Sequence, residues 1–410
     1  MMIRVLATLL ILLFAYVPSI VADRWISYGL EIEQEIYKRL TQIRLERIKT
    51  EDEPQRDILF KSGFKPAFFP KLVSRDKDLL NLAKKYAVAP LAPQPSTNLY
   101  YCNEGYGTIS YKSDRFGFRN QDFLWDISPK IFLVGDSFVQ GACIPDFSDT
   151  IVGRINDKSS AVSLGSGGNG AIHYASLLKA FVSKFAPKNV VVVFYHNDNE
   201  LSENDNEKNY FYEFYWLNEA EPYLVLEEGR YVLNRDLLSF YRDVTPLLIS
   251  KIKYRPRTKD NEIPEYAESS ANQVAAQVRQ EIRFWNGITL DNFRLKTITN
   301  VAGNIFSSEE TELPFSNILA IEELKRVCAV GCEPMVVYIP NSRLWQPDAR
   351  AVSYSRSLGS FLKSMGIEYL DMTETLRGYS ETEVYAPKGL HLSPRGYKVV
   401  ADALSERLGL

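Results

Sequence analysis

One serine stands directly after an apolar run, in the sequence Phe132-Leu-Val-Gly-Asp-Ser-Phe138. A serine hydroxyl is a weak nucleophile by itself, so its chemistry requires a base that removes the proton and donors that hold the oxyanion. The pattern is not a nucleophile elbow, because the Gly-x-Ser-x-Gly spacing would need glycine where Val139 stands. We therefore take Ser137 as the candidate nucleophile and look for its partners elsewhere in the chain.

The candidates for the base are few, because the chain contains only three histidines, His173, His196 and His391. His391 precedes Ser393-Pro394, a favourable N-cap and first-turn pair, so the start of a helix would fix the loop that holds its imidazole. The other two histidines, His173 and His196, could each be a structural hydrogen-bonding residue. The sequence thus favours His391 as general base.

Four short blocks, in chain order, resemble those of the SGNH, or GDSL, hydrolase family. The blocks are Gly135-Asp136-Ser137, the glycine-rich turn 164–170, His196-Asn197-Asp198 and the segment 389–394. The resemblance covers roughly residues 96–410 and is interrupted by an insertion. It implies a serine ester hydrolase, with the oxyanion held by the backbone N–H groups of Ser137 and Gly168 and by the side-chain amide of Asn197.

The acid of the expected triad is the clearest departure from this family. The family usually places an aspartate three residues before the histidine, and this chain has Lys388 there. The acid normally holds the imidazole tautomer and stabilises the imidazolium, so its loss should slow the reaction unless something replaces it. Glu381, Glu383 and Asp371 are candidate substitutes, a backbone carbonyl is another, and an inactive descendant that only binds ligand is a third possibility.

The glycine turn also matches Gly-x-Gly-x-x-Gly, the fingerprint of dinucleotide-binding proteins, at Gly165, Gly167 and Gly170. That interpretation needs an acid at the end of the next strand, but this strand ends Tyr195-His196-Asn197. We therefore predict no cofactor. We also predict no metal site, because no histidine lies near Cys328 and Cys332 to complete a zinc set.

The elements that must position these residues alternate between strand and helix. Short apolar runs at 130–134, 161–164, 189–195, 334–339 and 367–370 suit parallel strands buried on both faces. Helical patterns fill the gaps at 172–185, 317–329, 350–364 and 396–408. The fold class predicted is α/β, a three-layer αβα sandwich with a mostly parallel, flavodoxin-like sheet and a ligand crevice at the carboxyl ends of its strands.

The chain divides by pattern into several segments. Residues 1–22 contain an apolar run at 5–22 that is typical of a signal peptide or membrane anchor. Residues 23–95 are predicted as a helical lead-in and residues 96–410 as the hydrolase domain. Alternation stops at about 199–316, which predicts an inserted α+β segment with a hairpin at 223–233 and an amphipathic helix at 236–253.

Composition excludes some partners and favours others. A net charge of −3 and a pI near 5.9 provide no basic field for nucleic acid. The apolar leader predicts an extracytoplasmic location, periplasmic or secreted, where the four cysteines can form disulfides in any of three pairings or remain as buried thiols.

The predicted location, together with the family resemblance, favours hydrolysis of acyl (acetyl) esters of a carbohydrate or another small-molecule substrate. An O-acyltransferase for cell-surface polysaccharide and a catalytically inactive binding protein are the alternatives, and the sequence does not define the oligomeric state.

Overall fold

The computed structural model of the chain describes residues 18–29, 31–32, 35, 39, 55–199, 222–253, 278–279, 281–282, 312–329, 331–341 and 349–410. Most of the predicted leader (1–17) and much of the predicted insertion lie outside the described residues. Among those described, no helix combines the length and the apolar character needed to span a membrane.

Two compact units are present, one within residues 1–51 and 257–309, the other within residues 52–256 and 310–410. In the first unit, residues 18–29 are helical, and the guanidinium of Arg39 forms an ion pair with Glu281 at 2.5 Å. The second unit contains the sheet, the candidate site and all the elements labelled below.

The described part of the second unit has ten strands. They are β1 (Lys65–Pro66), β2 (Asn98–Tyr100), β3 (Ser110–Lys112), β4 (Ile131–Gly135), β5 (Ala161–Gly165), β6 (Asn189–Tyr195), β7 (Leu224–Glu227), β8 (Arg230–Leu233), β9 (Glu333–Ile339) and β10 (Glu368–Asp371). The five strands predicted for the main sheet are all found, each within one residue of its predicted bounds, because long apolar runs leave a buried strand few alternatives.

The helices of this unit surround the sheet. Residues 55–61 are helical, and the labelled helices are α1 (Leu72–Arg75), α2 (Lys77–Lys85), α3 (Ser137–Gln140), α4 (Ile151–Asn156), α5 (Ala171–Leu177), α6 (Ser183–Phe185), α7 (Arg235–Lys253), α8 (Phe315–Cys328), α9 (Ala349–Met365), α10 (Thr373–Arg377), α11 (Glu381–Val384) and α12 (Pro394–Leu408). A π-helical turn, Leu178–Val182, joins α5 to α6. Short 3-10 helices span Asp122–Ile127, Phe147–Asp149 and His196–Asn199.

The main sheet has five parallel strands in the order β10-β9-β6-β4-β5. Alternate side chains along each strand enter two different cores. Phe132 and Val134 pack with α5, α8 and α9, whereas Ile131 and Leu133 pack with α4 and α12. Helices therefore cover both faces, and the predicted three-layer α/β sandwich is confirmed.

The strand order reverses direction between β4 and β6, and ligand crevices in such sheets lie outside the carboxyl ends of the strands at this point. A smaller sheet, β1-β2-β3, pairs β1 with β2 in parallel and β2 with β3 in antiparallel fashion. Residues 52–95 thus include a strand as well as helices, and they pack in the same unit as the main sheet. The predicted hairpin is formed by β7 and β8, and the predicted amphipathic helix is α7.

Candidate active site

Ser137 lies at the carboxyl end of β4, where it begins α3 and is 8% exposed. The Asp136 carboxylate caps this short helix by accepting a hydrogen bond from the N–H of Phe138 at 2.9 Å. Glycine is needed at position 135, because a Cβ there would lie 2.5 Å from a methyl group of Val139. The Gly-Asp-Ser sequence thus makes a tight strand-to-helix turn that holds the hydroxyl at the edge of the sheet.

His391 lies in the loop before α12, and its Nε2 is 2.8 Å from Oγ of Ser137. The loop is held at both ends. Ser393 caps α12 by accepting from the N–H of Gly396 at 3.1 Å, and the carbonyl of His391 accepts from the N–H of Ala386 at 2.9 Å. The predicted pair of nucleophile and base, 254 residues apart, therefore meets at hydrogen-bonding distance.

The third member of the group is Glu104, which the sequence did not indicate. Its Oε1 lies 2.8 Å from Nδ1 of His391, and a carboxylate can only accept, so Nδ1 is the donor. The same carboxylate accepts backbone N–H groups of Leu390 and His391, each at 3.1 Å. A Cβ at position 389 would lie 1.6 Å from Cδ of Glu104, so Gly389 is required for this approach.

Two of the three acids proposed as substitutes form hydrogen bonds elsewhere. Asp371 accepts from the hydroxyl of Ser355 and from the N–H of Thr373, and Glu383 caps the start of α11. Glu381 is the exposed first residue of that helix. Lys388 has a positioning contact instead, because its backbone N–H donates to the carbonyl of Glu104 at 3.1 Å. The carboxylate next to His391 is therefore supplied by Glu104, in the connection between β2 and β3, which precedes the main sheet in the chain.

The pair Glu104–His391 is mostly buried, with side chains 11% and 17% exposed. Burial alone would lower the pKa of His391, but the charge and the hydrogen bond of Glu104 outweigh it and raise the pKa above its ordinary value. Burial alone would raise the pKa of Glu104, but the charge of His391 and three hydrogen bonds lower it. The arrangement stabilises an imidazolium beside a carboxylate, which is the state a general base reaches during acyl transfer.

A disulfide joins the turn that carries Glu104 to the loop that follows Ser137 and α3. Cys102 is bonded to Cys143, with their Cα atoms 5.1 Å apart, and Sγ of Cys143 lies 3.8 Å from Nδ1 of His391. Between Cys102 and Glu104, Oδ1 of Asn103 accepts the N–H groups of Gly105 and Gly107 and closes a tight turn. The carboxylate is thus held by a cross-linked turn. The other two cysteines, Cys328 and Cys332, are also bonded to each other.

Arg119 supports the loop that follows α3. Its buried guanidinium donates to the carbonyls of Gly141, Ile144 and Pro145, at 2.6, 2.7 and 3.1 Å. Cys143 lies within this loop, so Arg119 and the disulfide together fix the chain that follows Ser137. These contacts give Arg119 a structural role.

The glycine turn lies between β5 and α5. Gly168, a predicted oxyanion donor, has a left-handed backbone with φ of 74°. Gly165 has a packing role, because a Cβ there would lie 2.4 Å from the backbone nitrogen of Gln140 in α3. That contact explains a glycine that the dinucleotide fingerprint also requires.

Asn197, the other predicted oxyanion donor, lies in the 3-10 helix that follows β6, and its side chain is exposed. Both Gly168 and Asn197 therefore follow strands adjacent to β4, at the same carboxyl end of the sheet as Ser137.

The two other histidines, His173 and His196, have contacts of their own. His173 accepts the N–H of Gly170 at 3.2 Å, and burial lowers the pKa of His173 to about 3; His196 lies 3.3 Å from the hydroxyl of Tyr338.

Ligand atoms of Glu104, Cys143 and His391 lie close enough together to surround a metal ion. The chemistry of the donors argues against that use. The sulfur of Cys143 is in a disulfide and is no thiolate, and His391 already places one ring nitrogen on Glu104 and the other on Ser137. The group is better described as a hydrogen-bonded series in which the imidazole of His391 links the hydroxyl of Ser137 to the carboxylate of Glu104.

Comparisons with known proteins give a distant likeness in fold. No protein-family model matches the chain, and no curated protein is similar to it. Two solved structures are similar over 68% of this chain: TesA, with 12% identity, 97% of its own chain covered and a TM-score of 0.34, and the lipase/acylhydrolase from Enterococcus faecalis, with 13% identity, 95% covered and a TM-score of 0.33.

Proposed function

We propose that the chain is a serine ester hydrolase of the SGNH type, with Ser137 as nucleophile, His391 as general base and Glu104 as the acid that orients it. The observation that carries the proposal is the continuous hydrogen-bonded chain from Oγ of Ser137 through both ring nitrogens of His391 to Oε1 of Glu104, with two links of 2.8 Å. A nucleophile, a base within hydrogen-bond reach and a group that orients the base are the parts that acyl transfer requires.

The reaction follows from these positions. Oγ of Ser137 attacks the acyl carbon as Nε2 of His391 takes the hydroxyl proton, and Glu104 stabilises the imidazolium that forms. Collapse of the tetrahedral intermediate breaks the ester C–O bond, and His391 returns the proton to the departing alcohol. Water then attacks the acyl-serine with His391 again as base, which releases the carboxylic acid and restores the hydroxyl of Ser137.

The oxyanion is assigned to three donors: the backbone N–H groups of Ser137 and Gly168 and the side-chain amide of Asn197. The assignment rests on the family resemblance and on their shared edge of the sheet, next to the strand-order reversal. Such donors stabilise charge that develops only in the transition state, so removing one typically costs about 10²–10³-fold in kcat.

The substrate we propose is an acyl (acetyl) ester of an extracytoplasmic carbohydrate. Two disulfides among the described residues support a location in an oxidising compartment, as does the apolar run at 5–22. The same run would attach the protein to a membrane if it is retained. The choice of carbohydrate is by analogy with exported relatives of the SGNH family.

An O-acyltransferase would use the same residues, with a sugar hydroxyl in place of water as acceptor. The hypothesis of an inactive binding protein rested on Lys388, which stands where an aspartate is usual. Because Glu104 supplies a carboxylate beside His391, that argument for inactivity no longer applies. Product analysis separates the first alternative from hydrolysis, since transfer to an added oligosaccharide yields an acylated sugar and hydrolysis yields free acid.

The decisive experiment measures hydrolysis of 4-nitrophenyl acetate by the wild-type protein and by the Ser137→Ala variant. We expect turnover by the wild type, loss of turnover in the variant, and covalent labelling by a fluorophosphonate only when Ser137 is present. The Ser405→Ala variant, at a buried serine of α12, is the matched control for labelling. Equal rates in wild type and Ser137→Ala would refute the proposal.

A further inference from the structure

A lysine from outside the four family blocks lies against the glycine turn. Lys71 belongs to the connection between β1 and α1, and its Cδ is 3.3 Å from the place that a Cβ of Gly168 would occupy. Two aromatic neighbours cover the adjacent residue, since a Cβ on Gly167 would lie 2.5 Å from the hydroxyl of Tyr101 and 2.8 Å from the ring of Phe69. Phe69, Lys71 and Tyr101, which all precede the main sheet in the chain, thus pack against the glycine turn.

The charge of Lys71 acts on the groups at the carboxyl edge of the sheet. Burial raises the pKa of both Asp136 and Asp198, and the positive charge of Lys71 opposes that rise. Burial lowers the pKa of His173, and Lys71 lowers it further. These three residues come from the turn that carries Ser137, the block after β6 and the helix after the glycine turn, so the charge of Lys71 reaches groups in three separate segments.

Within the described part of the chain, no carboxylate forms an ion pair with Lys71, and its ammonium group makes no hydrogen bond to protein. Its side chain is partly buried, so the charge is screened less than that of an exposed lysine. A cation of this kind, next to the glycine turn, is available to a ligand.

The glycine turn also has polar atoms to offer. Oγ of Ser166 and both amide atoms of Asn169 are buried, and among the described residues none of them has a hydrogen-bond partner. Ser166 is fully buried and Asn169 is 4% exposed. Because buried polar groups are normally hydrogen-bonded, the turn next to Lys71 retains unused donors and acceptors.

We propose that Lys71 binds a carboxylate on the alcohol part of the substrate, so that the site selects acyl esters of acidic sugars over those of neutral sugars. This rests on the proposed function and names its substrate class. Lysine is a point charge that takes a carboxylate without a fixed bidentate geometry. Its place over the glycine turn brings that carboxylate beside the acyl group that Ser137 attacks.

The test compares two sugars that differ in one group. O-acetylated methyl glucuronoside carries a carboxylate where O-acetylated methyl glucoside carries a neutral hydroxymethyl group. We expect wild-type kcat/KM to favour the glucuronoside, and Lys71→Met to reduce the ratio of the two kcat/KM values at least tenfold, which corresponds to about 1.4 kcal/mol. Lys71→Arg should retain most of the ratio, and added salt should reduce it in the wild type.

Methionine preserves most of the apolar stem that packs on Gly168, so a purely structural role would change both substrates alike and leave the ratio unaltered. That result would overturn the inference, as would a wild-type enzyme that prefers the glucoside. Lys84→Met removes an equal charge from an exposed position of α2 and should not change the ratio.

Binding to the Ser137→Ala variant separates this inference from the proposed function. If the wild type hydrolyses neither ester, the proposed function fails, and calorimetric binding of the two acetylated glycosides still decides the role of Lys71. Tighter binding of the glucuronoside that is lost in Ser137→Ala/Lys71→Met supports the inference. Equal binding of the two glycosides refutes it.

Discussion

Oε1 of Glu104 and Nδ1 of His391 are 2.8 Å apart, although 287 residues separate them in the chain. The contact is supported from both sides: the carboxylate also accepts two backbone N–H groups from the histidine loop, and the backbone of that loop donates to the carbonyl of Glu104. Two loops that are remote in sequence therefore form one hydrogen-bonded unit, and the imidazole is oriented by it.

Replacing Glu104 by glutamine should impair catalysis although the side chain keeps its size. In Glu104→Gln the amide can donate to Nδ1 and favour the tautomer whose Nε2 carries the proton, which cannot accept from Ser137. We expect kcat/KM for 4-nitrophenyl acetate to fall by about 10²–10⁴-fold. The same change at Glu383, an exposed residue of α11, is the control and should leave the rate within a factor of two. A fall of less than threefold in Glu104→Gln would show that the carboxylate does not orient the base.

The pH profile reports the same contact by a different measurement. General-base catalysis needs neutral His391, so kcat/KM rises as pH passes the pKa of this residue. Because Glu104 holds that pKa above the ordinary value of 6.5, we expect the acid limb of the wild type to have its midpoint above 6.5. Removing the negative charge in Glu104→Gln destabilises the imidazolium, so the midpoint should move to lower pH. An unchanged or higher midpoint would contradict this assignment.

Much of the fold was predictable, because its signals are local. The strands β4, β5, β6, β9 and β10 are apolar runs that can be buried on both faces. The choice of general base was also narrow, because the chain has only three histidines and His391 alone precedes a helix cap. The predicted helix 172–185 is interrupted by the π-helical turn at Leu178–Val182, because apolar periodicity does not distinguish a wider turn from a regular one.

Glu104 and Lys71 were not predictable in this way. Glu104 stands in a polar Asn-Glu-Gly turn, where an exposed acid is the ordinary expectation, and only the tertiary structure brings it to His391. Lys71 precedes a four-residue helix and has no pattern that marks it. The pairing of Cys102 with Cys143 has the same origin: four cysteines allow three pairings, and the distances that choose among them exist only in the folded chain.

Gly389 should not tolerate a side chain. A Cβ at this position would lie 1.6 Å from Cδ of Glu104, so Gly389→Ala must displace the carboxylate or the histidine loop. Misplacement of catalytic groups by about 1 Å can cost about 10²-fold, and we expect a loss of that order in kcat/KM. Gly378→Ala is the matched control, since its Cβ would lie 3.3 Å from the nearest carbonyl and its φ is −66°. Similar rates in both variants would mean that the acid can move without consequence.

The disulfide between Cys102 and Cys143 should be needed for activity as well as for stability. It joins the turn that carries Glu104 to the loop behind Ser137 and closes a sequence separation of 41 residues, for which the chain-entropy model gives about 4 kcal/mol of stabilisation. In Cys102→Ser/Cys143→Ser we expect a lower Tm and, at a temperature where the variant is still folded, a fall of about tenfold or more in kcat/KM, because the acid loses its cross-link.

The second disulfide provides the control for that experiment. Cys328 and Cys332 are four residues apart at the end of α8, so their bond constrains little of the unfolded chain and contacts none of the three triad residues. Cys328→Ser/Cys332→Ser should therefore keep wild-type kcat/KM and lose less in Tm. If both double variants show the same activity while folded, the hydrogen bonds of Glu104 to the histidine loop are sufficient to hold the acid, and the cross-link serves stability alone.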